Sequence, residues 1–253
     1  ILSSCAGIRK TKYTTQNAHS HNDYEQTHYY TQATNAAFGS MEADIYLVNG
    51  ELLVAHNKAE QSTDRNLKSM YLNPVKGQLL KHGGFPYTDH GRQLQLLIDL
   101  KDANSSAEFD SAVSLLTQYP AIMESGNIKV TFTGNIPEDS VMVAAPSFIH
   151  FDGVPGHTYS KAAEKRIYMY SDNFRNYSAW DGTSQLAPTD FEKLTAVVKM
   201  AHSKGKKVRF WNAPDNPKAW KVMMKLNVDY INTDHIDDLA AFRGVFIVVR
   251  FQS

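Results

Sequence analysis

The chain has 253 residues, of which 42% are hydrophobic and 21% charged, and its 26 basic and 26 acidic side chains leave no formal net charge. This composition is typical of a globular protein and excludes disorder, collagen-like repeats and coiled coils. The charge balance argues against nucleic-acid partners, and no apolar run approaches the ~20 residues of a membrane-spanning helix.

The N-terminal segment suggests export. Small residues surround the single cysteine, Cys5, in the order Leu-Ser-Ser-Cys, which is typical of the lipobox of bacterial lipoproteins. An incidental cysteine in a disordered arm is the alternative. We therefore expect a flexible arm over residues 1–12, a possible lipid anchor at Cys5, and a periplasmic or outer-membrane location in a bacterium.

Eight short β-type segments alternate with helical patterns along the rest of the chain, as in parallel α/β folds. Eight strands are the number that closes a (β/α)₈ barrel, and barrels of about 250 residues are common single domains. No linker or repeat divides the sequence, so residues 13–253 are predicted to form one TIM barrel. The predicted strands are Thr14–His19, Ser40–Ile45, Gln95–Leu100, Ile128–Phe132, Ser147–Phe151, Ile167–Tyr170, Lys207–Trp211 and Tyr230–Thr233.

Capping signals mark the starts of three helices. Ser105 to Glu108 and Thr189 to Glu192 have the capping-box pattern, and Asn216-Pro217 is a typical N-cap followed by proline at the first helical position. Apolar stripes at helical spacing follow each start. These stripes predict helices packed on the barrel.

The second predicted strand carries an insertion. Asn49-Gly50 predicts a type I′ turn, so the segment 46–54 is expected to form a β-hairpin that returns His56 to the end of that strand. The long connection 58–91 is rich in turn residues, and we expect it to form a lid over a site.

Chemistry-bearing side chains follow the first three predicted strands. Because reacting groups in these barrels lie at the carboxyl ends of the strands, and residues two apart in a strand share a face, they are expected to converge. Two or three buried carboxylates would repel one another unless a divalent cation neutralised them, and oxygen ligands favour Mg²⁺ or Ca²⁺ over zinc. Histidines beside such a site suit general acid–base catalysis. The residues concerned are His19, His21, Glu42, Asp44, His56, Asp99 and Lys101.

Six motifs, taken in order, resemble the glycerophosphodiester phosphodiesterase family and the wider phospholipase-C-like barrels. They are Ala18-His19, Glu42-Ala43-Asp44, Val54-Ala55-His56, Ile98-Asp99-Leu100-Lys101, the segment 208–212 and the segment 228–234. The resemblance implies a metal-dependent barrel that cleaves glycerophosphodiesters or phospholipid-derived phosphodiesters, through attack by a substrate hydroxyl and a cyclic phosphate. It also implies roles: His19 and His56 as the acid–base pair, Glu42, Asp44 and Asp99 as ligands of one Mg²⁺ or Ca²⁺, Lys101 and His21 as substrate contacts, and Trp211 as a wall of the alcohol pocket.

The sequence departs from the family in ways that bear on specificity. His-Ser-His replaces the usual His-Arg-Gly, so a phosphate-binding arginine is missing after His19, and Asn57 replaces an aspartate after His56. The opening His-Ser-His-Asn-Asp-Tyr resembles a bacterial and fungal subgroup of phospholipase-C-like proteins. These departures leave the reaction class intact and the glycerol specificity open.

Two other functions remain as alternatives. His19-x-His21 also resembles metal-dependent amidohydrolase barrels, in which His150 and Asp234 could be further ligands, although the sixth predicted strand offers no histidine. A barrel that binds a lipid head group or glycan without catalysis is the second. Polar residues on the loops after the fifth and sixth predicted strands, Asp152 among them, could touch a substrate, although loop residues of these types are usually solvated. The run Val245 to Phe251 is expected to dock as an edge segment.

Overall fold

A computed structural model of the protein describes residues 13–102 and 105–242. The strands form one sheet in which eight parallel strands curl into a nearly closed barrel, confirming the predicted TIM-barrel architecture. The strands are β1 Ala18–Ser20, β2 Ser40–Val48, β3 Glu51–Val54, β4 Leu94–Leu100, β5 Ile128–Gly134, β6 Ile149–Gly153, β7 Ile167–Asn173, β8 Lys207–Trp211 and β9 Ile231–Thr233.

The sheet follows the order β8-β7-β6-β5-β4-β2-β1-β9, and β3 pairs only with β2. Strand β1 pairs in parallel with both β2 and β9. The remaining gap, between β8 and β9, is bridged at Arg209 and Tyr230. There the amides of Asp229 and Tyr230 both donate to the carbonyl of Val208, and the amide of Val208 donates to the Asp229 carboxylate.

Nine helices cover the described part of the barrel. They are α1 Thr31–Asn35, α2 Asn73–Lys81, α3 Ser105–Leu116, α4 Pro120–Glu124, α5 Asp139–Ala144, α6 Lys161–Glu164, α7 Pro188–Ser203, α8 Pro217–Leu226 and α9 Ile236–Ala241. Helix α8 begins as predicted, since the Asn216 side chain accepts from the amides of Lys218 and Ala219. The capping box predicted at Thr189 is wrong, because proline starts α7 one residue earlier and Ala187 is its N-cap.

Apolar side chains fill the space on both sides of the strands. Inside the barrel, Leu97, Met169 and Tyr230 form a small buried cluster. Outside it, the large core lies between the strands and the helices, where the Phe109 ring of α3 packs edge-on against Phe132 at 5.0 Å between centroids. Layered filling of this kind makes the interior a packed core, so the chemistry is confined to the barrel mouth.

The first predicted strand starts too early. Residues Thr15–Asn17 form a single 3₁₀ turn, because the Thr14 hydroxyl accepts from the Gln16 amide and the Asn17 side chain accepts from the Thr14 amide. Such local bonds by Thr and Asn side chains compete with strand formation. Only Ala18–Ser20 pairs in the sheet, so His19 lies at the middle of a three-residue strand.

The inserted hairpin has the predicted turn. Strands β2 and β3 pair from Ile45 opposite Val54 to Val48 opposite Glu51, and both turn residues have positive φ, 50° at Asn49 and 84° at Gly50. A type I′ turn requires this at both central positions.

The lid predicted over residues 58–91 is wrong. This segment folds against the outside of the barrel through a π-helical turn, Lys68–Leu72, and helix α2. Its large side chains are buried in the outer core, among them Leu67, Tyr71 and Leu79. It is part of the scaffold, and it contributes no side chain to the pocket at the barrel mouth.

Among the described residues, no helix combines the length and apolar character that crossing a bilayer demands. The predicted arm at residues 1–12 with Cys5 and the run Val245 to Phe251 lie outside the described residues. The predicted cap at Ser105 depends on a side chain that lies outside the description as well.

Candidate active site

A polar pocket of about 530 Å³ opens at the carboxyl ends of the strands, a volume typical of small-molecule sites. Side chains from β2 and β4–β8, together with His21 after β1 and His56 after β3, line it. Every predicted site residue except His19 lies on this lining.

Three carboxylates meet on one side of the pocket. Asp44 of β2 lies opposite Asp99 of β4 in the sheet register, and Glu42 shares the Asp44 face. One oxygen from each of the three lies within 4.8 Å of the others. Asp44 Oδ1 is buried without a hydrogen-bond partner in the described part of the chain. This oxygen set fits a divalent cation such as Mg²⁺ or Ca²⁺.

The pKa values of the three carboxyl groups in this cluster are shifted in different directions. Burial alone would raise the pKa of Glu42, but the Arg209 guanidinium, 3.2 Å away, and the adjacent His19 hold it well below its usual range. Burial and the neighbouring carboxylates raise the pKa of Asp44 and bring that of Asp99 to about 7. Like charges crowded in a buried site have this effect, and a bound cation would relieve it.

Lys101 provides the nearest positive charge. Its Nζ lies 2.9 Å from Asp44 Oδ2 and 3.4 Å from Asp99 Oδ2, and these two carboxylates raise its pKa although burial opposes them. Its side chain is one quarter exposed at the pocket wall. A fixed cation here can meet an anionic group that binds beside the carboxylates.

The structure does not bring His19 to the pocket. The ring is fully buried below the floor, where Nδ1 lies 2.7 Å from Ser40 Oγ and Nε2 lies 2.6 Å from Arg209 Nη1 and 3.1 Å from Glu42 Oε2. Burial and the Arg209 charge lower its pKa to about 4, so the ring is neutral. With both nitrogens engaged, the ring lies beneath the pocket lining, against Glu42 and Arg209, and the acid–base role of His19 stays a prediction.

His21 occupies the place that was expected for His19. It lies two residues further along the same face, and its Nδ1 is 2.8 Å from Asp234 Oδ1. Burial would lower the pKa of His21, but the hydrogen bond and charge of Asp234 raise it overall. A carboxylate on Nδ1 fixes the ring tautomer and leaves Nε2 as the free nitrogen.

His56 is held in a similar way. The Tyr24 hydroxyl donates to Asn22 Oδ1 at 3.0 Å and accepts from His56 Nδ1 at 3.2 Å, which again leaves Nε2 free. Asp44 Oδ2 lies 3.7 Å from the same nitrogen. The turn after β1 therefore positions both pocket histidines.

Arg209 of β8 is a site residue that sequence reasoning missed. It is 97% buried, and beside its contacts to His19 and Glu42 its Nε donates to Ser171 Oγ at 3.2 Å. It brings a guanidinium to the pocket floor, although the arginine expected after His19 is absent. The nearby Trp211 is 39% exposed at the pocket rim.

The wall formed by β5, β6 and β7 carries three further polar side chains, Thr133, Asp152 and Ser171, of which Thr133 lies beside Asp99 in the sheet register. Asp152 was expected on a loop, where such side chains are usually solvated, but is only 4% exposed. Burial raises its pKa to about 6, against the opposing effects of the Arg209 charge and the hydroxyls of Ser171 and Thr133. Because Asp152 lies at the end of β6, it points into the barrel mouth.

Gly134 makes room for Asp99. It ends β5 with φ of 75°, and a Cβ at this position would collide with Asp99 Oδ1 and the Leu100 carbonyl. Glycine alone both lacks a Cβ and adopts a positive φ without strain. Nothing in the sequence pattern marks this glycine apart from the others.

The ligand set of an amidohydrolase is not assembled. His150 lies outside the pocket and stacks on Tyr168 at 5.6 Å between centroids, and Asp234 is engaged by His21. His19 and His21 face different partners.

Comparison with known proteins identifies the family of the chain. The family model of the AIM6-like phosphodiesterase domain matches residues 10–152, more than half of the chain. The chain belongs to this family. The model of the glycerophosphoryl diester phosphodiesterase family also matches, over residues 207–243, and the predicted resemblance to that family is confirmed.

The similar curated proteins are fungal. One is the altered inheritance of mitochondria protein 6 homolog of Arthroderma benhamiae, 28% identical over 90% of this chain and 83% of the relative. Another is altered inheritance of mitochondria protein 6 of Eremothecium gossypii, 25% identical over 88% and 68%. The predicted location in a bacterial periplasm or outer membrane is therefore wrong, since these relatives indicate a eukaryotic protein.

Among solved structures, the fold resembles a protein described as a glycerophosphoryl diester phosphodiesterase from Agrobacterium tumefaciens. The TM-score is 0.52 at 13% identity, over 90% of this chain and 97% of the other. At this identity the likeness concerns the fold alone.

Proposed function

We propose that this protein is a metal-dependent phosphodiesterase that hydrolyses glycerophosphodiesters or phospholipid-derived phosphodiesters. The observation that carries the proposal is one pocket in which three carboxylates that fit a cation lie beside a lysine and two histidines with free Nε2 atoms. Membership in a phosphodiesterase family supports it.

Glu42, Asp44 and Asp99 would hold one Mg²⁺ or Ca²⁺, which when bound supplies positive charge next to a phosphodiester. Lys101 would contact a non-bridging phosphate oxygen from the same side of the pocket. These groups favour the transition state because charge on the phosphoryl oxygens develops where fixed cations already lie.

His21 and His56 form the acid–base pair in this proposal. His21, oriented by Asp234, removes the proton from a substrate hydroxyl next to the phosphate, and that oxygen bonds to phosphorus. His56 delivers a proton to the departing alkoxide as its bond to phosphorus breaks. The product is a cyclic phosphate, which water opens with the two histidines in reversed roles.

His19 acts through Arg209 instead. Its Nε2 contacts both the Arg209 guanidinium and the Glu42 carboxylate, while its Nδ1 faces Ser40, so it holds these two charged groups together. Its part in the reaction is to position the charges of the pocket floor.

The test is an assay of the purified full chain on bis-p-nitrophenyl phosphate, glycerophosphodiesters, lysophospholipids and phosphatidylinositol, with Mg²⁺, Ca²⁺ or EDTA. We expect turnover that EDTA abolishes and that Glu42→Gln or His21→Asn lowers by about 10²–10⁴-fold. His19→Asn is the matched comparison, and we expect it to lower the free energy of unfolding by about 1–3 kcal/mol because it leaves buried groups unpaired.

The outcomes separate the parts of the proposal. Turnover that persists in EDTA would overturn the cation assignment, and full activity of His21→Asn would overturn the role of His21. If a cation binds but no phosphodiester is cleaved, the protein is a binding barrel and the proposed reaction is wrong.

A further inference from the structure

One carboxylate oxygen of Asp152 has no hydrogen-bond donor among the described residues, although it is buried beside the pocket. Its side chain is 96% buried. Oδ2 accepts from Thr133 Oγ1 at 3.0 Å, whereas Oδ1 has no hydrogen-bond partner in the described part of the chain. A buried carboxylate oxygen without a donor costs about 1–3 kcal/mol or more, so this arrangement calls for a ligand that supplies one.

Alternation along β6 directs this carboxylate toward the mouth. Phe151 packs in the outer core, so the next residue, Asp152, faces the barrel interior. The pairing with β7 has one extra residue on β7, since Phe151 lies opposite Ile167 while Asp152 lies opposite Met169. The wall formed by Thr133, Asp152 and Ser171 thus shares one pocket with the carboxylate cluster, which it adjoins where Thr133 lies beside Asp99.

The surroundings select a neutral donor over a cation. Arg209 donates through Nε to Ser171, the neighbour of Asp152 on this wall, and its charge acts on Asp152. A ligand ammonium at the wall would meet that guanidinium charge. A trimethylammonium group is bound by several aromatic faces, and in the lining formed by the described residues Trp211 is the one ring besides the two histidines.

We propose that Asp152 is the specificity residue of the pocket and accepts a hydrogen bond from a hydroxyl of the substrate's alcohol group, so that phosphodiesters of polyhydroxy alcohols are preferred over those of choline. This inference rests on the proposed function for the position of the phosphate. The hydroxyls of Thr133 and Ser171 hold the wall on either side of the carboxyl group.

The test compares the binding of glycerol 3-phosphate with that of methyl phosphate, which lacks the hydroxylated part. Binding is measured by calorimetry in the unaltered chain, or by the fluorescence of Trp211 in a Trp180→Phe, Trp220→Phe background. We expect the full chain with Mg²⁺ or Ca²⁺ to bind glycerol 3-phosphate about 10-fold or more tighter, and phosphocholine no tighter than methyl phosphate. Asp152→Asn, which keeps the shape, should reduce the preference for glycerol 3-phosphate at least about 5-fold and leave the affinity for methyl phosphate unchanged.

Equal affinities in the unaltered protein, or a preference that survives in both Asp152→Asn and Asp152→Ala, would overturn the inference. Asp172→Asn is the matched control, because this carboxylate on the same strand as Ser171 bonds Tyr177 and Asn176 and does not line the pocket. Because the experiment measures binding, it tests the role of Asp152 even if no phosphodiester is cleaved. A failure to cleave any phosphodiester would overturn the proposed function alone.

Discussion

At the scale of single residues, the site depends on which of two histidines on one strand face reaches the pocket. His19 lies opposite Ser40 in the sheet and is covered by the pocket floor, while His21, one step higher on the same face, reaches the Asp234 carboxylate. In the proposed mechanism, depth along the barrel axis separates the positioning histidine from the one that transfers a proton.

Asp234→Asn tests how His21 is tuned. The carboxylate raises the pKa of His21, and a base works only in its neutral form, so activity should fall below that pKa. Losing Asp234 lowers the pKa, and we expect the acidic limb of the kcat/KM profile to move to lower pH while the maximal rate falls. An unchanged acidic limb would show that another group is the base.

Lys101→Met separates cation binding from turnover. Lys101 now balances Asp44 and Asp99, and without it the carboxylates should bind Mg²⁺ or Ca²⁺ more tightly, about 10-fold for each 1.4 kcal/mol of repulsion removed. Turnover should nevertheless drop, because a contact to the phosphate is lost. Titration calorimetry and a rate assay measure the two effects. Lys58→Met, a 76% exposed side chain, is the control and should change neither.

At the scale of elements, alternation along strands predicted much of the site. It placed Glu42 with Asp44, and the structure brings both beside Asp99. It failed for β1, where side-chain bonds of Thr14 and Asn17 replaced the strand. It did not place Asp152, because the predicted fifth strand stopped at Phe151, whereas β6 continues to Gly153.

Gly134→Ala tests the fit between the ends of β4 and β5. A Cβ here would push on Asp99, so we expect cation affinity to fall by about 10-fold or more in calorimetry. Gly205→Ala is matched to it, with φ of 69° and open space around the position. Both variants carry the strain of a left-handed alanine, roughly 1–2 kcal/mol. Equal cation affinities in the two variants would contradict the proposed fit.

At the scale of the whole molecule, the barrel closes where its pairing is sparsest. Between β8 and β9 the Asp229 carboxylate accepts from the Val208 amide at 3.0 Å and also lies 2.8 Å from His202 Nε2. At this junction a hydrogen bond to a side chain replaces part of the backbone pairing between β8 and β9. Sequence could not reveal this, because the two partners are 21 residues apart and belong to no repeated pattern.

Asp229→Ala should weaken the junction between β8 and β9. We expect a loss of about 1–3 kcal/mol of unfolding free energy, the cost of an unpaired buried group, together with faster hydrogen exchange at the Val208 amide. Asp237→Ala, which removes an exposed bond to Gln32, is the control. If hydrogen exchange at the Val208 amide stays as slow as in the unaltered protein, the Asp229 carboxylate does not stabilise the junction between β8 and β9.

The two histidines acquire their partners at very different stages of chain growth. His56 finds Tyr24 and Asp44 within 32 residues, whereas His21 must wait for Asp234, which is 213 residues away. During synthesis the N-terminal part of a chain emerges first, so the acidic cluster and His56 can assemble on an incomplete barrel. Because Asp234 follows β9, a chain in which β9 has not yet formed lacks the contact that orients His21.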